Sequence, residues 1–494
     1  MKYGSSVDRV VSELRDELNR YSDGEKLPSS RALVARYGVG PVTVSRAISS
    51  LAAEGLVVAR PGSGVFKAPS RRATTAGGDL SWQEVALSAD PPHSAVDVGP
   101  RGVDANGLLA TLVAPPPEVI DLNGGYPHAV LRPERALAAA LARAGRRPGT
   151  WSRPPVEGLA ELREWFARDV GGPGGPLSAS DVLVTGGGQS ALTTALRALA
   201  APGSPVLVES PGYPGTLAVA RAAGLRPVPV PVDADGVRTD LLADAFAATR
   251  ARLFVCQPLF HNPTGAVLSP RRRTEVVRVA RAAGAFVVED DFARRMVHAD
   301  SPPAPPPLAA DDPDGVVVHI RSLTKATSPS LRIGALTARG PAWERLRAVQ
   351  VVDGLLIPRP LQETTLELVG SPAWTRHLRT LAEALRERRT ALLAALGGAL
   401  PELLPERPPP GGYHLWLRLP DGTDEHAVVA SALRHGVAVT AGGPYFPAES
   451  PAPHLRLSHV GAPGTGHLEE GVRRLRRALI DTGVFPVTVS PDPG

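Results

Sequence analysis

From about residue 118 the chain alternates short apolar runs with alanine- and leucine-rich stretches of helical length. This alternation limits the possible fold more than any other feature. The runs Val182–Val184, Val206–Val208, Leu253–Cys256, Phe286–Val288 and Val316–Ile320 are continuously apolar. A strand that is apolar on both faces needs both faces covered, so the pattern predicts an α/β fold: a mostly parallel sheet with helices on each side. Ligands in such sheets gather at the carboxyl ends of the strands, so the residues after each run are the ones to inspect for chemistry. A later block, 371–494, sets Tyr413–Leu419, Val437–Thr440 and His454–Ser458 between helical stretches and reads as a smaller α/β lobe.

The first 68 residues follow another rule. Val7, Val10, Val11, Leu14 and Leu18 recur at helical spacing. Leu27-Pro28-Ser29-Ser30 then stops the chain and offers hydroxyls to cap a second helix over Ser30 to Tyr37. Gly38-Val39-Gly40 is a tight turn, and a third helix starts near Pro41, with Ala47, Ile48 and Leu51 toward the core and Val42, Thr43, Ser45 and Arg46 on an outer face. Two short strands, Leu56–Arg60 and Val65–Lys67, flank Pro61-Gly62-Ser63-Gly64. Three helices and a hairpin make a winged helix-turn-helix outline, an α+β unit. These 68 residues hold 10 Lys/Arg and 7 Asp/Glu, an excess of cations compatible with nucleic acid. From Pro69 to about Ala95 the composition is that of a linker, with a short docking helix expected at 81–87.

At 494 residues the chain has room for several domains. One cysteine, Cys256, rules out an intramolecular disulfide, and no apolar run approaches a membrane span, so a cytoplasmic protein is expected. No His/Cys cluster has metal-ligand spacing, so no metal is expected.

Against 54 Lys and Arg together, only four are lysines, and Lys325 is the sole lysine after Lys67. Arginine cannot condense with an aldehyde, because its guanidinium stays protonated. A solitary amine in an arginine-rich chain is therefore a candidate for chemistry, and Ser322-Leu323-Thr324-Lys325 with Arg332 beyond it strengthens the case. Thr185-Gly186-Gly187-Gly188-Gln189-Ser190-Ala191 after a strand is a phosphate loop, and it fits G-x-G-x-x-A with Glu209 at the end of the next strand. The same exposed amides suit any phosphate at a helix start, so the loop alone does not separate a dinucleotide from another phosphate ligand. Tyr213, Asn262 and the Glu289-Asp290-Asp291 carboxylates follow the next strands. A flat cofactor with a phosphate, a ring nitrogen and an aldehyde would use an aromatic ring, an amide, a carboxylate and a lysine in these places. Either Asp290 or Asp291 could supply the carboxylate. Arg456 is a strand arginine or a carboxylate clamp. Gly125, Trp151 and Gly442–Phe446 are candidate pocket walls.

The string Leu27-Pro28-Ser29-Ser30-Arg31, Gly38-Val39, Thr43-Val44, Glu54-Gly55 and Arg60-Pro61-Gly62-Ser63-Gly64-Val65-Phe66 resembles the GntR-type DNA-binding domain. The resemblance implies double-stranded DNA as a partner, Arg31 on the DNA, the third helix in the major groove, and the wing tip Gly62, Ser63 and Gly64 in the minor groove. Pro41 stands where many members carry arginine, leaving Thr43, Ser45 and Arg46 as the reading side chains. The large domain resembles the fold-type I aminotransferase family, which implies pyridoxal 5′-phosphate. It also implies Lys325 as the Schiff-base lysine, Asp290 at the ring nitrogen, Asn262 at the ring hydroxyl and Tyr213 on the ring face. Gly187, Gly188, Gln189, Ser322, Thr324 and Arg332 then hold the phosphate, and Arg456 an effector carboxylate. Phe292 stands where the family carries a tyrosine bonded to the phenolic oxygen, which counts against efficient transamination. The two together resemble the MocR-type regulators. The implied organisation is a DNA-binding domain over 1–68, a linker over 69–114, a large domain over 115–370 and a small lobe over 371–494. The implied function is a homodimeric transcriptional regulator that senses an amine, an amino acid or the cofactor.

Overall fold

The computed structural model describes residues 6–18, 21, 25–53, 56–60, 64–68, 105–109, 111–172 and 174–486. The wing-tip residues Gly62 and Ser63, and residues 69–104 of the linker with the segment 81–87, lie outside these. The chain divides into two compact units, Met1–Asp90 and Pro91–Gly494.

In the first unit α1 (Ser6–Leu18) buries Val10, Val11, Leu14 and Leu18. The Ser29 hydroxyl caps α2 (Ser30–Tyr37), accepting from the Ala32 amide at 3.3 Å. Gly38 ends that helix at φ 63, a left-handed turn that a side chain would strain. α3 (Pro41–Ala53) sends Val44, Ala47, Ile48 and Leu51 into the same core. β1 (Val57–Arg60) and β2 (Gly64–Lys67) pair antiparallel, Val57 opposite Lys67 and Arg60 opposite Gly64. Arg31, Ser45 and Arg46 are exposed and Thr43 is partly so.

The second unit contains an eight-stranded sheet. After the two-residue β3 (Ile120–Asp121), its strands are β4 (Val182–Thr185), β5 (Pro205–Ser210), β6 (Arg226–Asp233), β7 (Gly236–Val237), β8 (Leu253–Cys256), β9 (Phe286–Asp291), β10 (Val317–Ser322) and β11 (Gly334–Thr337). They lie in the order β4-β11-β10-β9-β8-β5-β6-β7, and β7 and β11 run against the rest. Side-chain alternation sends Val206, Val208, Leu253, Val255 and Val288 into one apolar core. It sends Leu207, Phe254, Cys256 and Val287 into another on the opposite face, which is why these strands are apolar throughout.

The smaller lobe holds β12 (His414–Arg418), β13 (Val437–Ala438), β14 (Thr440–Ala441) and β15 (His454–Ser458). Here β12, β15 and β14 form an antiparallel sheet, whereas β13 pairs in parallel with β3. Ile120 and Leu122 are buried in this lobe's core with Leu415, Leu417, Leu455 and Leu457. The lobe thus takes in residues near 120 as well as the block beyond 371. A two-residue strand has no periodicity that a sequence could display. No described helix is long and apolar enough to cross a membrane.

Candidate functional site

One pocket collects the residues that follow β4, β5, β8, β9 and β10, together with side chains from the smaller lobe. Its lining includes Gly188, Gln189, Tyr213, Asn262, Asp290, Ser322, Thr324, Lys325, Arg332 and Arg456. Gly187 lies just behind, at φ 91, as the residue before the helix Gly188–Leu199. A Cβ there would sit 3.0 Å from Arg332 Nη2, so the loop has no room for a side chain. Arg332 donates to the Gly186 carbonyl at 2.9 Å. Thr324 N donates to Ser322 Oγ at 3.3 Å, while the buried Thr324 Oγ1 has no partner among the described residues. Hydroxyls, a guanidinium and helix-start amides converge here, a donor set suited to a phosphate dianion.

Gln257, directly after β8, organises the far end. Its Nε2 donates to Asp290 Oδ2 at 2.7 Å and its Oε1 accepts from Asn262 N at 3.1 Å. Glu209 accepts from the Gln257 amide at 2.8 Å and lies 3.3 Å from His261 Nε2. It is buried beneath the pocket and does not line it, so it does not play the part of a ribose-binding acid. Alternation along β9 separates the two aspartates: Asp290 faces the pocket, and Asp291 accepts from Arg321 at 2.5 Å and Arg294 at 2.8 Å. Glu289, Asp291 and His319 approach one another closely. That cluster is knit by Arg321 and by the Leu308 and Ala309 amides on Glu289.

Lys325 Nζ donates to the Gly125 carbonyl at 2.6 Å and stands 3.8 Å from the centre of the Tyr126 ring. Burial, with Arg456 adding to it, lowers its pKa from 10.5 to about 7, against the opposing pull of Asp290. Burial raises the Asp290 carboxyl to about 7, opposed by the Gln257 hydrogen bond and reinforced by Asp291. Arg456 is 2% exposed and donates to Asn123 O at 2.5 Å, Thr440 Oγ1 at 3.3 Å and Asn262 Oδ1 at 3.4 Å. Of the expected walls, Gly125 lines the pocket. Tyr445 lies 5.5 Å under the Arg456 guanidinium, and Trp151 is 85% exposed away from the lining.

Residues 117–475 match the family model "Aminotransferase class I and II", and residues 6–66 match "Bacterial regulatory proteins, gntR family". The chain belongs to the class I and II aminotransferase family. It is 32% identical to the 2-aminoadipate transaminase of Thermus thermophilus, over 74% of this chain and 90% of that protein. It is 29% identical to the HTH-type transcriptional regulator TauR of Rhodobacter capsulatus, over 93% of each. The crystal structure of the Thermus thermophilus α-aminoadipate aminotransferase with N-(5′-phosphopyridoxyl)-L-leucine superposes with a TM-score of 0.71 at 29% identity, covering 77% of this chain and 96% of that one. With a GntR-family unit in front of the aminotransferase domain, the architecture is that of a MocR-type regulator.

The family's cofactor is pyridoxal 5′-phosphate, and the residues present fit it. The partnerless Thr324 hydroxyl and the side-chain-free Gly187 suit its phosphate end. The enclosed Asp290 carboxyl suits its ring nitrogen, and the lysine amine its aldehyde. Sequence reasoning missed Gln257, Tyr126, Tyr413 and His414, all of which line the pocket. The signal for Gln257 was present, since it directly follows β8. Tyr126 enters from a segment with no regular element to mark it. Phe292 lines the pocket with its ring edge-on to Tyr413, 6.4 Å between centres, and carries no hydroxyl there.

Proposed function

We propose that this protein is a pyridoxal-phosphate-dependent transcriptional regulator whose winged helix-turn-helix binds DNA and whose aminotransferase-like domain senses an amino acid. The reading is carried by one observation: a pocket with an enclosed lysine amine, a pocket-facing carboxylate and a buried arginine shares a chain with a GntR-family unit. Arg31, Thr43, Ser45, Arg46 and Gly64 are its DNA-facing residues. The active species is a homodimer on paired half-sites.

When bound, pyridoxal 5′-phosphate supplies an aldehyde that condenses reversibly with amines and a ring that withdraws electrons. Arg332 would offset part of its phosphate charge, with Ser322, Thr324 and the amides of Gly188 and Gln189 as hydrogen-bond donors. Tyr213, whose hydroxyl donates to Gln189 Oε1 at 3.2 Å, would lie against its ring face. Asn262 meets the ring hydroxyl. Asp290 keeps the ring nitrogen protonated, and a cation beside that carboxylate favours its ionised form. Burial holds the Lys325 pKa well below that of an ordinary lysine, so its amine would be available in the neutral form that the cofactor's aldehyde requires. Arg456 takes the effector's carboxylate in a bidentate pair. Without a hydroxyl on Phe292, the pocket favours ligand exchange over repeated turnover.

Transmission along the linker is supported by its residues 105–109 and 111–113. Thr111 and Leu112 line the pocket. In the helix Asn106–Leu109 before them, a Cβ on Gly107 would meet Pro444 at 2.9 Å and Pro214 at 3.7 Å. This segment touches both the loop that carries Tyr213 and the turn beside Arg456, so it can respond to changes at either. An effector works as a switch only to the extent that it binds one arrangement better than the other.

The test is to record the visible spectrum of the purified protein, reduce it with borohydride and map the pyridoxyl adduct, then titrate amino acids while scoring DNA retention. An adduct at Lys325 and amino-acid-dependent retention are expected; an adduct elsewhere, or none, refutes the reading. The 32% identity to a transaminase favours a second reading, an active aminotransferase with an accessory DNA-binding unit. Multiple turnover with a keto-acid acceptor would establish it.

A further inference from the structure

Three side chains that line the pocket carry buried polar atoms with no partner among the described residues: Thr324 Oγ1, Arg456 Nε and both ring nitrogens of His414. The first two belong to the phosphate cradle and the carboxylate clamp. His414 has no role in either, and it is 2% exposed. It opens β12, where Leu415 and Leu417 turn into the lobe's core, so alternation puts His414 and Trp416 together on the other face. Trp416 is the cross-strand partner of Arg456, and His414 that of Ser458. The imidazole therefore stands on the sheet face that presents the carboxylate clamp.

The strongest electrostatic influences on His414 come from Arg456, Lys325, His459 and His261, while the Asp290 carboxyl lines the same pocket. Burial and these neighbours keep the ring neutral, with one N–H donor and one acceptor nitrogen. A buried imidazole without partners is costly, and a phenyl ring would fill similar space without that cost. Beside the Arg456 guanidinium, the guest that repays a bare N–H is an anion. Bare nitrogens alone would not support the argument. His459 has them too, but it packs against His298 at 5.6 Å and does not line the pocket.

We infer that His414 is a specificity-determining residue of the effector site. It donates one ring N–H to the same α-carboxylate that Arg456 clamps, so the effector class is α-amino acids rather than simple amines. The inference rests on the sensing function proposed above.

The experiment uses the full-length, cofactor-loaded protein and two matched pairs that differ only in the α-carboxylate: L-leucine with isopentylamine, and L-2-aminoadipate with 5-aminopentanoate. Affinity is read by calorimetry and by the visible spectrum. His414→Phe is expected to weaken the amino acids roughly 10- to 100-fold, as for a lost hydrogen bond to a charged group, and to leave the amines unchanged. His414→Gln, which keeps a donor, is expected to recover most of the difference. It also decides the matter should the phenylalanine variant fail to hold the cofactor. Equal weakening of acid and amine in each pair, or no weakening of either, overturns the assignment. A wild-type protein that holds the cofactor at Lys325 but responds to no amino acid overturns the sensing function itself, and this assignment with it.

Discussion

The lowered pKa of Lys325 has a kinetic consequence that can be worked through. Condensation with an aldehyde requires the neutral amine. An ordinary lysine at 10.5 is neutral in roughly 3 molecules in 10,000 at pH 7, whereas a group at about 7 is neutral in half of them, an advantage of about a thousandfold. The cofactor is removed with a competing amine and gel filtration, and the initial rate of reconstitution with pyridoxal 5′-phosphate is followed by stopped-flow absorbance. A small-molecule amine serves as reference, to correct for the cofactor's own ionisation. The corrected rate should rise about tenfold per pH unit below 7 and level off above it. The causes of the shift give two variants of opposite sign. Arg456→Gln removes a cation that lowers the lysine pKa, so the inflection should move to higher pH. Asp290→Asn removes the carboxylate that raises it, so the inflection should move lower. A rate still climbing tenfold per unit between pH 8 and 10, or both variants shifting the same way, would refute the reasoning.

Three further outcomes are expected. Gly187→Ala combines a strained φ of 91 with a Cβ at 3.0 Å from Arg332, so the variant should lose cofactor on dialysis under conditions where the wild type retains it. Arg321→Met should cost about 3–5 kcal/mol in urea unfolding, because it leaves the buried Asp291 short of its closest cation. Burial opposes ionisation of Asp291, yet Arg321 and Arg294 outweigh it and hold the folded pKa at about 2 against an ordinary 3.8. The stability this contributes is full above about pH 4 and lost as pH falls through 2, so the variant should show a shallower acid limb. Arg46→Ala, on the exposed face of α3, should weaken operator binding by about 1–3 kcal/mol in a gel-shift titration and leave the visible spectrum unchanged.

What the sequence could and could not reveal divides along physical lines. The strands of the large sheet were legible because burial on both faces forces continuous apolar runs. Helices α2 and α3 were legible because a serine cap, a left-handed glycine and an N1 proline mark their ends. β11 was not legible: Gly334-Ala335-Leu336-Thr337 is too short and mixed to stand out, and its antiparallel placement between β4 and β10 is a tertiary choice. The glycine loop after β4 was legible as a phosphate loop but open as to which phosphate. Glu209 looked like a ribose acid by spacing. Its burial under Gln257 and His261 shows that spacing along a chain does not determine which face of a sheet a carboxylate serves. The same lesson holds one strand over. Asp290 and Asp291 are chemically identical neighbours, and β9 continues through both, so the pleat alone assigns one to the pocket and the other to Arg321 beneath it. A one-residue slip of β9 against β10 would turn every β9 side chain to the opposite face, sending Val287 toward the core that Val288 fills and Asp291 into the pocket. The observed register, with Ile320 beside Asp290 and Arg321 beside Asp291, keeps each carboxyl on its own face of the sheet. The buried Arg321 serves the site indirectly: by pairing with Asp291 it leaves Asp290 as the carboxyl that faces the pocket.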